Sequence, residues 1–443
     1  MHSAGTNVKT NSGTKGRLNI SNVGPGFSST KLAGAPHIRV SCECLGVCSI
    51  HAALTLAVFS ALMLIAAHPA QAQTETVLYN FANSPDGSEP VGGLTSHDGN
   101  FYGTTQVGGA HGQGTVFELS PSGVGGWNET VLYNFCSVIG QNGNCDDGSG
   151  PQASVIFDNL GNLYGTTAFG GTGSVGAVFE LSPAGTSWTE TVLPNVTTRY
   201  SYFLGSGLIM DPAGNLYGTT RGIYGAVYEL SPSGGGWTEQ QIYQTPFSDD
   251  PFYTGLTMDA AGNIFGATLY TLLELSPNGE GGWNPTSIHQ FGHAKDGSYP
   301  LGTPVLDQAG NIYGTTQYGG AKGNGTVYKM TPGKRGKWTE KILYSFKGGA
   351  KDGSQPRAGI VFDAAGNIYG TTSLGNNYSG GVVFELVAPV GTGSYKEKVL
   401  WSFNGTDGAD PVDSLIWDNE GNLYGTAVEG GSSGNGVVFE VTP

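Results

Sequence analysis

The sequence predicts an all-β fold, a seven-bladed β-propeller of four-stranded blades, and three observations predict it. The phrase Gly-Asn-x-aromatic-Gly occurs seven times, beginning at Gly99, Gly161, Gly214, Gly262, Gly310, Gly366 and Gly421, with separations of 48 to 62 residues. That period is the length of a propeller blade or another stacked β unit, not of a helical solenoid. Each copy sits among four short β-type segments divided by turn residues. The seventh copy ends one segment short, and the missing segment lies near the other end of the chain. Composition agrees: 75 glycines and 22 prolines would suit disorder, but the glycines recur at fixed places and aromatic residues make up 11 % of the chain.

Ahead of the repeats, the apolar run 52–67 (AALTLAVFSALMLIAA) is followed by Ala70-Gln71-Ala72, a small-x-small site where signal peptidase would cut before Gln73. So short a run suits a secretory h-region better than a membrane span of roughly 20 residues. The expected division is a leader with signal peptide, 1–72, and a seven-repeat propeller domain, 73–443, secreted or at the cell surface, with no membrane span in the mature chain. About 50 residues precede the run, long for an n-region; a misassigned start, an extended leader or an uncleaved anchor would each account for them. Removing 1–72 takes away five basic residues (Lys9, Lys15, Arg17, Lys31, Arg39) and one acidic (Glu43), leaving 14 basic against 33 acidic, net −19. Such a surface repels nucleic acid and anionic membrane, whose binding rests on clustered Lys and Arg.

In the first repeat, strand A is expected at 93–96, strand B at 101–105, strand C at 115–119 and strand D at 128–135. Asp-x-x-Gly-Asn turns join A to B, with Asp158, Asp211, Asp259, Asp307, Asp363 and Asp418 placed to cap turn amides. Strand C commonly ends in Ser-Pro or Thr-Pro and a Gly-rich turn. A tryptophan then opens strand D, at Trp127, Trp188, Trp237, Trp283 and Trp338. After repeat seven no strand D follows. The segment TETVLYNF at 74–81 supplies it: its last seven residues repeat 129–135 identically. The N-terminal mature strand is therefore expected to complete the last blade, leaving no open edge.

Cysteine usage fits export. Cys42, Cys44 and Cys48 fall in the leader and lack zinc-site spacing, whereas Cys136 and Cys145 bracket one short loop and are expected to form a disulfide.

NLYGTT, a Gly-rich hairpin, GTVFELSP-like and WTETVL-like strands recur together across 74–443. In this the chain resembles the GloVer tandem repeat family of bacterial choice-of-anchor proteins. The resemblance implies an exported, propeller-like surface protein of uncharacterised activity. It supplies no catalytic residues, and the C-terminal sorting segment common in the family has no counterpart after Glu440.

Repeated polar residues are read first as structure. One carboxylate per DxxGN turn falls short of the six to eight oxygens that Ca²⁺ takes. The Asp-Gly-x-x-Pro aspartates Asp86, Asp147, Asp296, Asp352 and Asp407 are expected to fix the crossing between blades. The strand C glutamates (Glu118, Glu180, Glu229, Glu274, Glu385, Glu440) travel with the fold, and Gly103 and its equivalents are read as close approaches of neighbouring blades. The mature histidines His97, His111, His289 and His293 show no metal-hydrolase spacing. The inner strands are poor in charge, and Arg357 and Asp413 near the channel mouth are read as surface residues. No catalytic residue, metal ligand or cofactor is expected.

The repeats that break the pattern are the better guide to function. The connections TTRYSYFLGSG and TPFSDDPFYTG, leading into blades three and four, lose DGxxP and gain Tyr202, Phe203, Phe252 and Tyr253. Their B–C hairpins add Arg221, Tyr224 and Tyr270. Both loop types emerge on one face, where exposed aromatics stack on sugar rings or pack on protein; the alternative is repeat decay with aromatics filling the gap. Two functions follow: a monomeric, non-catalytic propeller binding extracellular glycan or protein, or a secreted propeller enzyme such as a polysaccharide lyase, lactonase or glycosidase. The charge-poor channel favours the first.

Overall fold

Turn residues every few positions allow only short strands, and the computed structural model arranges them as seven antiparallel blades on a four-strand plan. Two of the blades gain a fifth strand from their entry loop, while a third entry loop forms a two-stranded pair with its hairpin. It describes residues 73–443 apart from 124, 195, 197–200, 205, 293–294, 350–351 and 376–379, and apart from the side chains of 201 and 202. The leader 1–72 lies outside the described residues. Blade 1 consists of strands A (Thr95–His97), B (Asn100–Thr105), C (Thr115–Pro121) and D (Trp127–Asn134). Blades 2 to 6 repeat this order over 156–192, 209–244, 257–290, 305–345 and 361–402. Blade 7 takes its strands A to C from Ile416–Trp417, Leu423–Ala427 and Val437–Thr442, and its strand D from Thr74–Asn80.

That last pairing closes the ring as the sequence predicts. Thr74 stands opposite Thr442 and Asn80 opposite Val437, with one irregularity between Val77 and Tyr79. The B-strand threonines then tie blade to blade. Thr104 donates to the Ala153 carbonyl (2.9 Å), Thr166 to Ser206 (3.0 Å), Thr315 to Ala358 (2.8 Å), and Thr426 carries the series from blade 7 back to Gly92 (3.2 Å). Asp413 adds a second tie at the closure, its Oδ2 accepting from the Gly93 amide at 2.5 Å.

The hydrophobic core is divided accordingly. Seven buried clusters each draw on two consecutive blades, as where Tyr102, Val116 and Phe135 of blade 1 meet Val155, Leu163 and Phe179 of blade 2. Tryptophans at the start of strand D extend these wedges outward; Trp237 of blade 3 meets Tyr164 of blade 2 edge-on at 6.0 Å. The B-strand glycine has a different job from the one expected. A Cβ at Gly103 would lie 2.6 Å from the ring of Phe117 in its own blade, and the same holds for Gly165 and Phe179 and for Gly370 and Phe384. The glycine makes room for the strand C aromatic, not for a neighbouring blade.

Six of the seven A–B turns are aspartate-capped: Asp158 Oδ1 accepts from the Leu160 and Asn162 amides at 2.8 Å, and five others repeat this, while blade 1 makes a tighter turn from His97 to Asn100. Cys136 and Cys145 are disulfide-bonded. Lys334–Gly336, one 3₁₀ turn, is the helical element among the described residues, none of which forms a helix long and apolar enough to cross a membrane.

Candidate functional site

In every blade the loop entering strand A pairs with the blade's own B–C hairpin, through contacts such as Ser88 with Val107, Pro151 with Thr167, Phe203 with Arg221, Phe252 with Thr268 and Gly353 with Gly375. The two loop types thus share one face, as expected, and surround the channel mouth. Two sequence slots feed that mouth: the residue after the B-strand Thr-Thr or its equivalent, and the residues flanking the loop proline. The residue before this proline sits at positive φ in all five regular loops: Glu89 57°, Gly150 62°, Tyr299 57°, Gln355 57° and Asp410 54°. For the four non-glycine residues this is a strained conformation, costing of order 1 kcal/mol or more each.

The mouth is a cavity of about 520 Å³. With its amide oxygen turned inward, Gln317 accepts from Arg357 Nε at 2.9 Å and Nη2 at 3.0 Å, which fixes the guanidinium plane. Asp410 lies nearby; burial raises its carboxyl above the usual range, Arg357 draws it back, and Glu429 raises it again. On the opposite wall, the Arg221 guanidinium stands 4.8 Å from the Tyr253 ring centroid, and its Nη1 donates to Gln152 Oε1 at 3.4 Å. Burial pulls Arg221 below its usual pKa, with Tyr253 acting in the other direction. Asp413 lines the mouth too, with both oxygens engaged by the Gly93 and Ser414 amides; burial raises its carboxyl and those amides lower it. It is part-exposed at the mouth and also ties the closure.

A second cleft of about 330 Å³ opens beside the mouth, and Arg221, Gln152 and Tyr253 belong to both. Its far wall is aromatic: Phe169, 45 % exposed, meets Phe203, 40 % exposed, edge-on at 5.3 Å. Further round the face, Tyr270, Tyr299 and Tyr318 form a chain at 6.0 and 5.7 Å.

The residues singled out by sequence fall into three groups. Phe203, Arg221 and Tyr253 come together at the cleft. Tyr224 and Tyr270 stand on neighbouring hairpins outside both cavities, while the Tyr202 side chain lies outside the described residues. Phe252 is a correction: only 1 % exposed, it sits in the wedge between blades 3 and 4, edge-on to Tyr243 at 6.2 Å, with no ring face free for a ligand. Sequence reasoning passed over Phe169, Gln152, Gln317 and Asp410. Their signal was positional, because each occupies a variable place beside the repeat's constant threonines or proline.

Five junctions between blades also carry a buried carboxyl pair that the sequence did not announce. The DGxxP aspartate accepts from the strand D aromatic, as Asp86 does from Tyr79 (2.7 Å), Asp147 from Tyr133 (2.8 Å), Asp352 from Tyr344 (2.9 Å) and Asp407 from Trp401 (3.0 Å). These bonds bear out its expected role at the crossing. Behind each aspartate stands a strand D glutamate of the next blade. Burial first, and the aspartate second, push Glu75, Glu129, Glu190, Glu340 and Glu397 up to about 7.

The family model described as the Gloeobacter/Verrucomicrobia repeat matches residues 64–271 and 271–443, and the chain belongs to that family. Among solved structures it is similar to a putative 6-phosphogluconolactonase from Bacteroides uniformis (13 % identity, 70 % of this chain and 83 % of that one, TM-score 0.47). It is likewise similar to the periplasmic gluconolactonase of Pseudomonas aeruginosa (14 % identity, 70 % and 84 %, TM-score 0.46) and to a protein from Lactobacillus plantarum (14 % identity, 67 % and 81 %, TM-score 0.45). No curated protein matches the chain.

Proposed function

We propose that this Gloeobacter/Verrucomicrobia repeat protein is exported and holds a carbohydrate chain on its loop face without turning it over. One observation carries the reading: an aromatic cleft opens directly into a polar mouth, and Tyr253 and Arg221 belong to both. Sugar rings present an apolar C–H face and an equatorial belt of hydroxyls. Exposed phenyl and phenol rings stack on the first, while planar amides, guanidinium groups and carboxylates bond the second. Gln152, Gln317, Arg357 and Asp410 supply that second set within one cavity. Its described lining contains no histidine or cysteine, and Asp413 spends both oxygens on backbone amides, which leaves Asp410 as the carboxylate of the mouth open to a ligand.

A polysaccharide array probed with the full chain tests this. Retention on at least one glycan, lost in Phe203→Ala/Tyr253→Ala, is the expected result. Absence of retention on every glycan refutes the reading, and depolymerisation that depends on Asp410 or Arg357 replaces it with an enzyme.

A further inference from the structure

At four of the five carboxyl-pair junctions the strand D aromatic is Tyr79, Tyr133, Tyr344 or Trp401, which donates to its aspartate and closes the site. At the junction of blades 4 and 5 the same position holds His289. Its Nε2 lies 3.3 Å from Asp296 Oδ2 and 3.7 Å from Glu340 Oε1, and the three ligand atoms all lie within 4.8 Å of one another. Metal–ligand bonds of about 2.0–2.2 Å in a tetrahedron place neighbouring ligand atoms roughly 3.4 Å apart, so a small displacement of Glu340 would complete the set.

A second observation points the same way. Asp296 is 8 % exposed, and its Oδ1 is buried without a hydrogen-bond partner, as are Asp147 Oδ1 and Asp352 Oδ1 at two sister junctions; there a tyrosine hydroxyl holds the other oxygen, whereas at Asp296 a metal-ligating imidazole nitrogen faces it. Among the described residues the ion-pair partner of Asp296 and Glu340 is His289 alone. The His289 and Glu340 side chains remain 22 % and 19 % exposed, which leaves an ion a way in. The Phe291 ring, edge-on at 4.7 Å, holds the imidazole in place.

We infer that His289, Asp296 and Glu340 bind a divalent transition-metal ion of the zinc type, created where one histidine replaces the aromatic residue of the repeat. One nitrogen and two carboxylate ligands suit Zn²⁺ or Co²⁺ better than Ca²⁺, which takes oxygens. Three protein ligands leave a fourth position for water or a ligand oxygen.

The full chain, stripped with a chelator, is titrated with Zn²⁺ beside His289→Tyr, which installs the residue of three sister junctions, and Glu340→Gln. Leader cysteines and histidines are common to all three proteins, so the difference is what is read. Wild type is expected to take up one Zn²⁺ more than either variant and to gain several degrees in melting temperature that both variants fail to gain. Co²⁺ should give visible bands at this extra site without a thiolate charge-transfer band. Equal stoichiometry and equal thermal shift in wild type and a folded His289→Tyr overturn the assignment; should that variant not fold, Glu340→Gln, which keeps the side-chain volume, carries the same comparison.

Discussion

Among the described residues, from blade 2 to blade 5 the rim of the loop face carries rings, Phe169, Phe203, Tyr253, Tyr270, Tyr299 and Tyr318; from blade 6 round to blade 1 the described loops and hairpins carry Leu374, Asp410, Glu429, Glu89 and Val107. The backbone beneath the two arcs is nearly the same. Tyr299 on the aromatic arc and Gln355, Asp410 and Glu89 on the other all hold φ between 54° and 57°. The arcs therefore differ through side chains at fixed positions, and, on the aromatic arc, through the two entry loops that abandoned DGxxP. A closed ring of blades supplies the positions, and chemistry is written into those the repeat leaves variable.

The most severe way to break the comparison is to open the ring. Deleting 74–81 removes the whole of strand D of blade 7 and the fully buried Phe81, and it exposes the edge of Val437–Thr442. Both arcs should fail together, with a melting temperature lower by about 10 °C or more and self-association. A circular permutant carrying TETVLYNF behind Pro443 on a short linker should fold; differential scanning calorimetry on both proteins checks this.

Neighbouring aromatics within one loop sharpen it next. Phe252→Ala should cost about 3–5 kcal/mol, since it empties a buried wedge, whereas Tyr253→Ala at 41 % exposure should stay within about 1 kcal/mol. Denaturant unfolding of the two variants separates frame from site.

The smallest effect concerns the carboxyl pairs, which both arcs share. Glu75, Glu129, Glu190 and Glu397 titrate near 7 in the folded chain against an ordinary 4.5. The native state thus holds protons that the unfolded chain releases; their stabilising contribution is full below about pH 4.5 and is lost as pH rises through 7. Melting temperature should fall by a few degrees between pH 5 and pH 8. Glu129→Gln should flatten part of that slope, raising the melting temperature at pH 8 and not at pH 5.

Much of the frame was legible in the sequence because turns, caps and the displaced strand D repeat as spaced phrases. The site was legible only in part. Phe252 and Tyr253 are adjacent aromatics in an irregular loop, and sequence alone does not say which one turns inward. A clue lay in blade 4 itself: Leu273 stands where blade 1 has Phe117, and Phe252 fills the resulting space, within 3.5 Å of a Cβ placed on Gly266. The junction glutamates escaped notice for another reason. On an outer strand they read as solvent-facing, and their burial arises only when the next aspartate packs against them.

The direct test of the account is calorimetric titration of a glycan retained on the array into wild type, Phe203→Ala/Tyr253→Ala and Leu374→Ala. Leu374, 37 % exposed, is the control from the opposite arc. Losing two stacking rings should weaken binding by about one to two orders of magnitude, at roughly 0.5–1.5 kcal/mol each, while Leu374→Ala stays within about twofold. Wild-type affinity in the double variant, or an equal loss in Leu374→Ala, would contradict a binding site on the aromatic arc.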